Sequence, residues 1–282
     1  MNVASLLKSA VDRLSSISTT PRLDAELLLA HVLAWPRARL LAERDYQPDS
    51  AAQAAFARAV ERRASLEPVA YIVGKREFYG LELVVDRRVL VPRPETELLV
   101  ELAIAEARRF QHASGHLLRI ADIGTGSGAV AIAIARHLPQ ARIYAVDLSL
   151  DALAVATLNV RQHNLHDRVS LLHGDLLKPL PEPVDLLVSN PPYTVLAEVE
   201  PNVRAHEPWL ALEGGPDGAA IYRRLLSSIT SALRSQGGIV LEIGSWQAEL
   251  VSGLIQAALP AAQITVYQDL AGRDRVVVAR QS

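Results

Sequence analysis

Leu117-Leu-Arg-Ile-Ala-Asp122-Ile-Gly124-Thr-Gly126-Ser-Gly128-Ala-Val-Ala-Ile-Ala-Ile-Ala135 decides the architecture. Its first seven residues are mostly apolar and read as a buried strand. Three glycines at alternate positions then break the run, and an apolar stretch that continues as a helix through His137 follows. Working outward, the same alternation repeats. Residues 142–147, 169–173, 185–189 and 238–243 read as strands, and 95–111, 150–163, 218–234 and 246–258 as helices. Strands alternating with helices predict an α/β fold with a mostly parallel, doubly wound sheet covered on both faces. The last two runs, 264–268 and 275–279, are joined so tightly through Ala271-Gly272 that they must form an antiparallel hairpin.

Upstream the pattern changes. Leu6, Leu7, Val11 and Leu14 share one helical face, as do Leu23, Leu27, Leu28, Val32 and Leu33, and an Ala-rich stretch covers 51–64. Thr19-Thr20-Pro21 and Gln47-Pro48-Asp49-Ser50 are breaks that carry helix-start residues. Residues 1–73 are expected to form a small helical domain. Residues 74–92 are read as a β-hairpin connector ending in a Val89-Leu90-Val91 strand, and residues 93–282 as the α/β domain.

Composition narrows the class. Half of the 282 residues are apolar and 21% are charged, which is ordinary for a globular chain. The run 123–135 is too short to span a bilayer, and the N-terminus carries Lys8, Asp12 and Arg13 where a secretory signal needs an unbroken apolar core. With no cysteine there is no disulfide framework and no thiol nucleophile. The eight histidines show no ligand-like spacing, so no metal is expected, and a cytoplasmic location is. The net charge is −2, with 11 basic against 8 acidic residues through Arg76 and 18 against 23 after it. That balance argues against bulk nucleic-acid binding.

Two motifs carry chemistry. Glycines at 124, 126 and 128 allow unusual backbone dihedrals and close approach of a ligand. Asp147, ending the second strand, is placed to accept both ribose hydroxyls of an adenosine cofactor. Gly124, Gly126 and Ala129 also satisfy a dinucleotide pattern, which keeps NAD as a rival, and a tight turn with no ligand would use the same glycines. The second motif is Asn190-Pro191-Pro192-Tyr193, at the C-terminal end of the fourth strand, where open α/β sheets bind ligands. The prolines withhold N–H donors, so neighbouring carbonyls stay free to accept. Asn190 and the Pro191 carbonyl can together accept from one –NH₂ group, and Tyr193 offers a flat face to a planar amide or base. The motif suits adenine N6, cytosine N4 or a glutamine side chain alike. Hydride transfer needs no such site, so NAD falls behind.

The outline resembles that of class I S-adenosylmethionine (SAM) methyltransferases, and the chain is similar to the PrmC/HemK family of peptide-chain release factor glutamine N5-methyltransferases. The likeness rests on Pro68-Val-Ala-Tyr71, Glu77-Phe78-Tyr-Gly80, Val89-Leu-Val-Pro92-Arg93-Pro94-Glu95-Thr96-Glu97, the glycine turn, Asp147 and Asn190 to Tyr193. Glu207-Pro208, Gly214-Gly215-Pro216-Asp217-Gly218, Leu241-Glu-Ile-Gly244 and Asp269-Leu-Ala-Gly272 complete it. Thr194 departs from the usual aliphatic residue, and Leu176 from an aromatic that some relatives carry near the adenine. The resemblance implies SAM as cofactor, held by Gly124, Thr125, Gly126, Ser127, Gly128, Asp147, Leu176 and Asn190. It implies Asn190, Pro191, Pro192 and Tyr193 as the catalytic set, and class I release factors, through their Gly-Gly-Gln glutamine, as the protein substrate. Methylation of a ribosomal-protein glutamine, N6-adenine methylation of nucleic acid and a non-enzymatic SAM-binding role remain alternatives. Glu95 and Glu97 suit the positive end of a helix. Arg93 is a candidate for the methionine end of the cofactor. Trp35, Trp209 and Trp246 are read as packing residues, with Trp209 beside the glycine loop the one of interest.

Overall fold

In the computed structural model, residues 1–114, 117–199 and 201–281 are described, and the chain divides into two units, Met1–Lys75 and Arg76–Ser282. The first unit is helical: α1 (Val3–Leu14), α2 (Pro21–Leu33), α3 (Arg37–Ala42), α4 (Ser50–Ala64) and α5 (Val69–Val73). The breaks act as helix starts. Pro21 occupies the first turn of α2, and the Asp49 side chain accepts from the Ala52 N–H at 2.8 Å. Leu6, Leu14, Leu28, Leu29, Leu40 and Phe56 meet in a core of their own.

The second unit begins in a hairpin, β1 (Lys75–Phe78) and β2 (Leu81–Val84). Tyr79 and Gly80 both have positive φ, the turn that matches strand twist. Phe78 and Leu83 are buried in the core on one face of the large sheet. The hairpin expected as a connector is thus packed into the second unit. No strand forms at Val89-Leu90-Val91. There the Val89 N–H turns back to the Asp86 carbonyl at 3.1 Å, and the segment becomes cavity wall, the prolines at 92 and 94 having no N–H to give a ladder.

Next come α6 (Thr96–Ser114), β3 (Leu118–Ile123), α7 (Ala129–His137), β4 (Ala141–Asp147), α8 (Leu150–Gln162), β5 (Val169–His173) and β6 (Val184–Ser189). After the short α9 (Pro201–His206), the helix expected over 218–234 is instead two pieces, α10 (Ala220–Leu226) and α11 (Ile229–Ala232). Ser227 and Ser231 turn their hydroxyls back on Arg224 and Ser228 carbonyls, competing with helix bonds, and Leu233 already pairs with Val184. β7 (Leu233–Glu242), α12 (Ala248–Ala258), β8 (Gln263–Gln268) and β9 (Asp274–Arg280) close the chain.

The seven-stranded sheet runs β5-β4-β3-β6-β7-β9-β8, parallel except where β9 pairs antiparallel with β7 and β8. Its central strands are apolar on both faces because each face is covered: Ile120 and Val188 point to one core, Ala121 and Leu187 to the other. Register places the site. Ile123 is level with Val146 and Ser189, and Ser189 with Leu241. Gly124, Asp147, Asn190 and Glu242 therefore emerge side by side at one end of the sheet.

Candidate active site

The glycine turn takes φ of 75° at Gly124, 56° at Gly126 and 82° at Gly128, which side chains rarely tolerate. A Cβ at Gly124 or Gly126 would meet nothing within 4 Å, so both face open space. That space is a cavity lined by residues 124–127, Asp147, Leu148, Gly174, Leu176 and Asn190, together with Leu90, Pro92 and Arg93. Gly128 lies outside this lining, and its Cβ would press on Ile132 at 3.2 Å, so it serves the packing of α7. Asn159 joins the turn to the hairpin. Its amide donates to the Ser127 and Val84 carbonyls, both at 2.9 Å, and accepts from the Val84 N–H.

Two carboxylates support the turn. Asp122 is buried and accepts from Thr125 Oγ1 at 2.6 Å and from the Ala131 N–H at 3.1 Å. Burial pushes its pKa up to about 7 despite those donors, and the Asp147 charge adds to the rise. Asp147 accepts from the Gly126 N–H and the Ser149 N–H, each at 2.8 Å. Its pKa is raised by burial and held back by these backbone donors. Each of its oxygens keeps lone-pair capacity toward the cavity, as a carboxylate that accepts two ribose hydroxyls requires. A nucleoside-bearing cofactor fits this cradle of open glycines, one buried acceptor and an apolar wall at Leu176, which itself sits at φ 52°.

A second cavity adjoins the first, lined by residues 190–194, Val199, Val203 and Leu212. Leu90, Arg93, Asn190, Pro192 and Ala211 line both. Asn190 therefore stands on the wall between them, and its Nδ2 donates to Thr96 Oγ1 at 3.2 Å. Tyr193 is held from behind: its hydroxyl lies 3.5 Å from Glu242 Oε1, and its ring meets Trp246 edge-on at 6.4 Å. Burial and the neighbouring Glu242 raise the Tyr193 pKa to about 12, so the phenol stays neutral. The loop 214–218 seats the other side of Tyr193. The Gly214 N–H donates to the Thr194 carbonyl at 2.8 Å, and Gln247 ties Gly218 to Gly244.

Arg93 lines both cavities, but its guanidinium is engaged by Glu207 at 2.7 and 2.8 Å. It joins the segment before α6 to the loop after α9. Glu97 accepts from the Tyr79 N–H at 2.9 Å, a structural task. Trp246 is 62% exposed and Trp209 61%, so neither belongs to the core, although the Trp246 ring packs edge-on against Tyr193. Thr96 and Glu242 lie in stretches that carry the family likeness but had no role assigned from the sequence; Glu242 is a charged residue ending an otherwise apolar strand, Ile239-Val-Leu-Glu242. Among the described residues no cluster of His, Asp and Glu could hold a metal, and no helix is long and apolar enough to cross a membrane.

Sheet order, glycine turn and the paired cavities define a class I SAM-dependent methyltransferase fold. Comparison with known proteins agrees. Residues 5–74 match the PrmC N-terminal domain and residues 98–206 the methyltransferase small domain. The chain belongs to the release factor glutamine methyltransferase family. It is 42% identical over 284 residues to the release factor glutamine methyltransferase of Moorella thermoacetica, covering 99% of this chain and 98% of that one. Against the enzyme of the same name from Coxiella burnetii it is 40% identical over 282 residues, covering 100% and 99%. The N-terminal domain of human METTL16 in complex with SAH has the same fold, with a TM-score of 0.52 at 19% identity, over 78% of this chain and 83% of that one.

Proposed function

We propose that this chain transfers a methyl group from SAM to the side-chain N5 of the glutamine in the Gly-Gly-Gln loop of class I release factors, as a cytoplasmic enzyme. The observation that carries the reading is the place of Asn190, on the wall shared by a nucleoside-sized cradle and a second cavity floored by Pro191, Pro192 and Tyr193. Its relatives are named for glutamine methylation of release factors, which selects glutamine among the –NH₂ groups the motif could hold.

SAM, when bound, supplies an electrophilic methyl on a sulfonium. Gly124 to Ser127, Asp147 and Leu176 would hold it. An amide nitrogen is a poor nucleophile, so the protein's part is placement and exclusion of water. Asn190 Oδ1 and the Pro191 carbonyl accept from the target –NH₂, turn its nitrogen toward the methyl and stabilise the positive charge that develops there. Tyr193, neutral and backed by Trp246, gives the amide plane a surface. Glu242 lines neither cavity, so it is not placed to take the proton that the nitrogen loses as or after the methyl is transferred. The helical unit Met1–Lys75 supplies recognition of the protein substrate away from the reacting group.

The test is transfer of label from SAM to a mixture of release factors, ribosomal proteins and RNA. Label should appear on the release-factor glutamine, and Asn190→Ala should lower turnover about a hundredfold while SAM still binds. Label on RNA or on ribosomal protein alone would overturn the assignment.

A further inference from the structure

Gln247 is fully buried at the N-cap position of α12, yet its side chain does not cap the helix. Ser, Thr, Asp and Asn suit such a position, because a short side-chain oxygen reaches the free N–H groups of the first turn. Gln is not among them, and here it performs another task. Its Oε1 accepts from the Gly244 N–H and its Nε2 donates to the Gly218 carbonyl, both at 3.0 Å. A backbone N–H can only donate and a carbonyl can only accept, so one orientation of the amide satisfies both. The side chain is a tie of fixed length between the turn after β7 and the loop 214–218, and it reaches Gly218 across 29 residues of chain.

The loop it holds is packed against the backbone of the acceptor motif. Gly218 has φ of 72°, and a Cβ built on it would run into the Tyr193 carbonyl oxygen and lie 2.7 Å from Gln247 Nε2. Tyr193, Gly218 and Gln247 thus meet with no room for a methyl group. The Thr194 N–H donates to the Leu212 carbonyl at 3.1 Å, and the Thr194 carbonyl accepts from the Gly214 N–H at 2.8 Å, which lays the end of the motif along the loop. The phenol end of Tyr193 is held less firmly. Its hydroxyl lies 3.5 Å from Glu242 Oε1, at the outer limit of a hydrogen bond. The place of Tyr193 is therefore set by its backbone seat on the loop. Upstream, Pro191 and Pro192 each have a locked φ, so a displacement of Tyr193 is carried to the Pro191 carbonyl and Asn190 rather than absorbed.

We propose that Gln247 is a positioning residue for methyl transfer. By fixing the separation of the 214–218 loop from the turn after β7, it sets Tyr193 and, through the prolines, the acceptors that hold the target amide. This rests on the reading that Asn190 and Pro191 hold that amide. Gln247 lines neither cavity, so its effect reaches the reaction through the wall and not by contact with SAM or glutamine.

The experiment uses the full-length enzyme carrying Gln247→Asn, Gln247→Met, Ile255→Val or Asn190→Ala. It measures single-turnover methylation of a class I release factor at saturating SAM, KM for the factor, SAM affinity by calorimetry, and melting. Gln247→Asn separates the tie from the helix start. Asn is a preferred N-cap, so the start of α12 should be kept or strengthened, but its side chain is one methylene shorter and cannot reach both glycines. Gln247→Met keeps the length and removes both hydrogen bonds. Both variants should lower the single-turnover rate on the order of tenfold to a hundredfold, with KM and SAM affinity little changed. Ile255→Val, buried in the same helix, should lower the melting temperature and leave the rate alone. A wild-type rate in Gln247→Asn overturns the proposal, as does a loss confined to KM or SAM affinity. A matching loss of rate in Ile255→Val would show that rate merely follows stability, and overturns it too. If Gln247→Met does not fold, Gln247→Asn decides; if neither folds, the tie serves the fold alone and the proposal fails. An Asn190→Ala enzyme with normal turnover would sink the acceptor assignment itself, whereas a crippled Asn190→Ala beside an unaffected Gln247→Asn sinks the tie alone.

Discussion

Gly214→Ala should damage methyl transfer without touching the cofactor. Gly214 is buried against the acceptor loop, and a Cβ built there lies 2.7 Å from both Cα and the carbonyl carbon of Tyr193, and 2.9 Å from Gly218 Cα. These are backbone atoms, so no side-chain rotation relieves the clash. Ordinary contact needs about 3.4 Å, so Tyr193 and the 214–218 loop must separate by about 0.7 Å. Overpacking of this kind costs about 1–3 kcal/mol of stability. The functional loss is larger than that suggests, because a displacement near 1 Å at a positioning surface lowers turnover on the order of a hundredfold. Gly214 and Tyr193 are absent from the lining of the SAM cavity, so SAM affinity should hold. The assay is single-turnover methylation of a release factor at saturating SAM, with calorimetry for SAM and a melting curve for the fold. Gly253→Ala is the control: it lies within α12, a Cβ there meets nothing within 4 Å, and it should stabilise by up to about 1 kcal/mol with no change in turnover. Turnover of Gly214→Ala within twofold of wild type would refute the account, as would a loss of SAM affinity matching the loss of rate.

Three further outcomes are expected. Asp122 has a folded pKa of about 7 against an ordinary 3.8, so the folded state retains a proton that the unfolded chain has lost, and its ionisation destabilises the fold as pH rises. Asp122→Asn keeps an acceptor for Thr125 and Ala131, and should therefore gain about 2–3 kcal/mol relative to wild type between pH 5 and pH 8 in urea titrations; parallel curves would refute it. Asp147→Ala should weaken SAM binding about tenfold to a hundredfold by calorimetry, while wild-type enzyme shows no saturable NAD binding; the opposite pattern would sink the cofactor reading. A chain beginning at Lys75 should fold and bind SAM but methylate intact release factor far more slowly than the full chain, with activity on a short Gly-Gly-Gln peptide nearly equal in the two; equal rates on intact factor would remove the recognition role from the helical unit.

The sequence by itself determined the order and type of the elements, because apolar periodicity and glycine placement are local properties. The parallel strands read as continuous apolar runs, and the last two runs, so closely joined, could only be antiparallel. The placement of Asp147 and Asn190 beside the cavity was also legible, since the residues that end or follow a buried strand in such a sheet lie at its ligand-binding edge. Where the reading missed, long-range pairing had overruled local pattern. Val89 to Val91 looks like a strand, but it has no strand beside it and serves as cavity wall. Residues 218–234 have helical spacing, yet Leu233 is claimed by Val184 across the sheet. Arg93 meets Glu207 across 114 residues of chain, and Thr96 meets Asn190 across 94. Trp246 looked like core and is exposed at the rim of the Tyr193 wall. Glu242 stood in a stretch that carries the family likeness, a charged residue in an apolar strand with no role to assign it. Only the tertiary structure set its carboxyl 3.5 Å from the Tyr193 hydroxyl, because the partners of a buried polar side chain are chosen by which strands lie adjacent, and adjacency in the sheet is not written in the order of the chain.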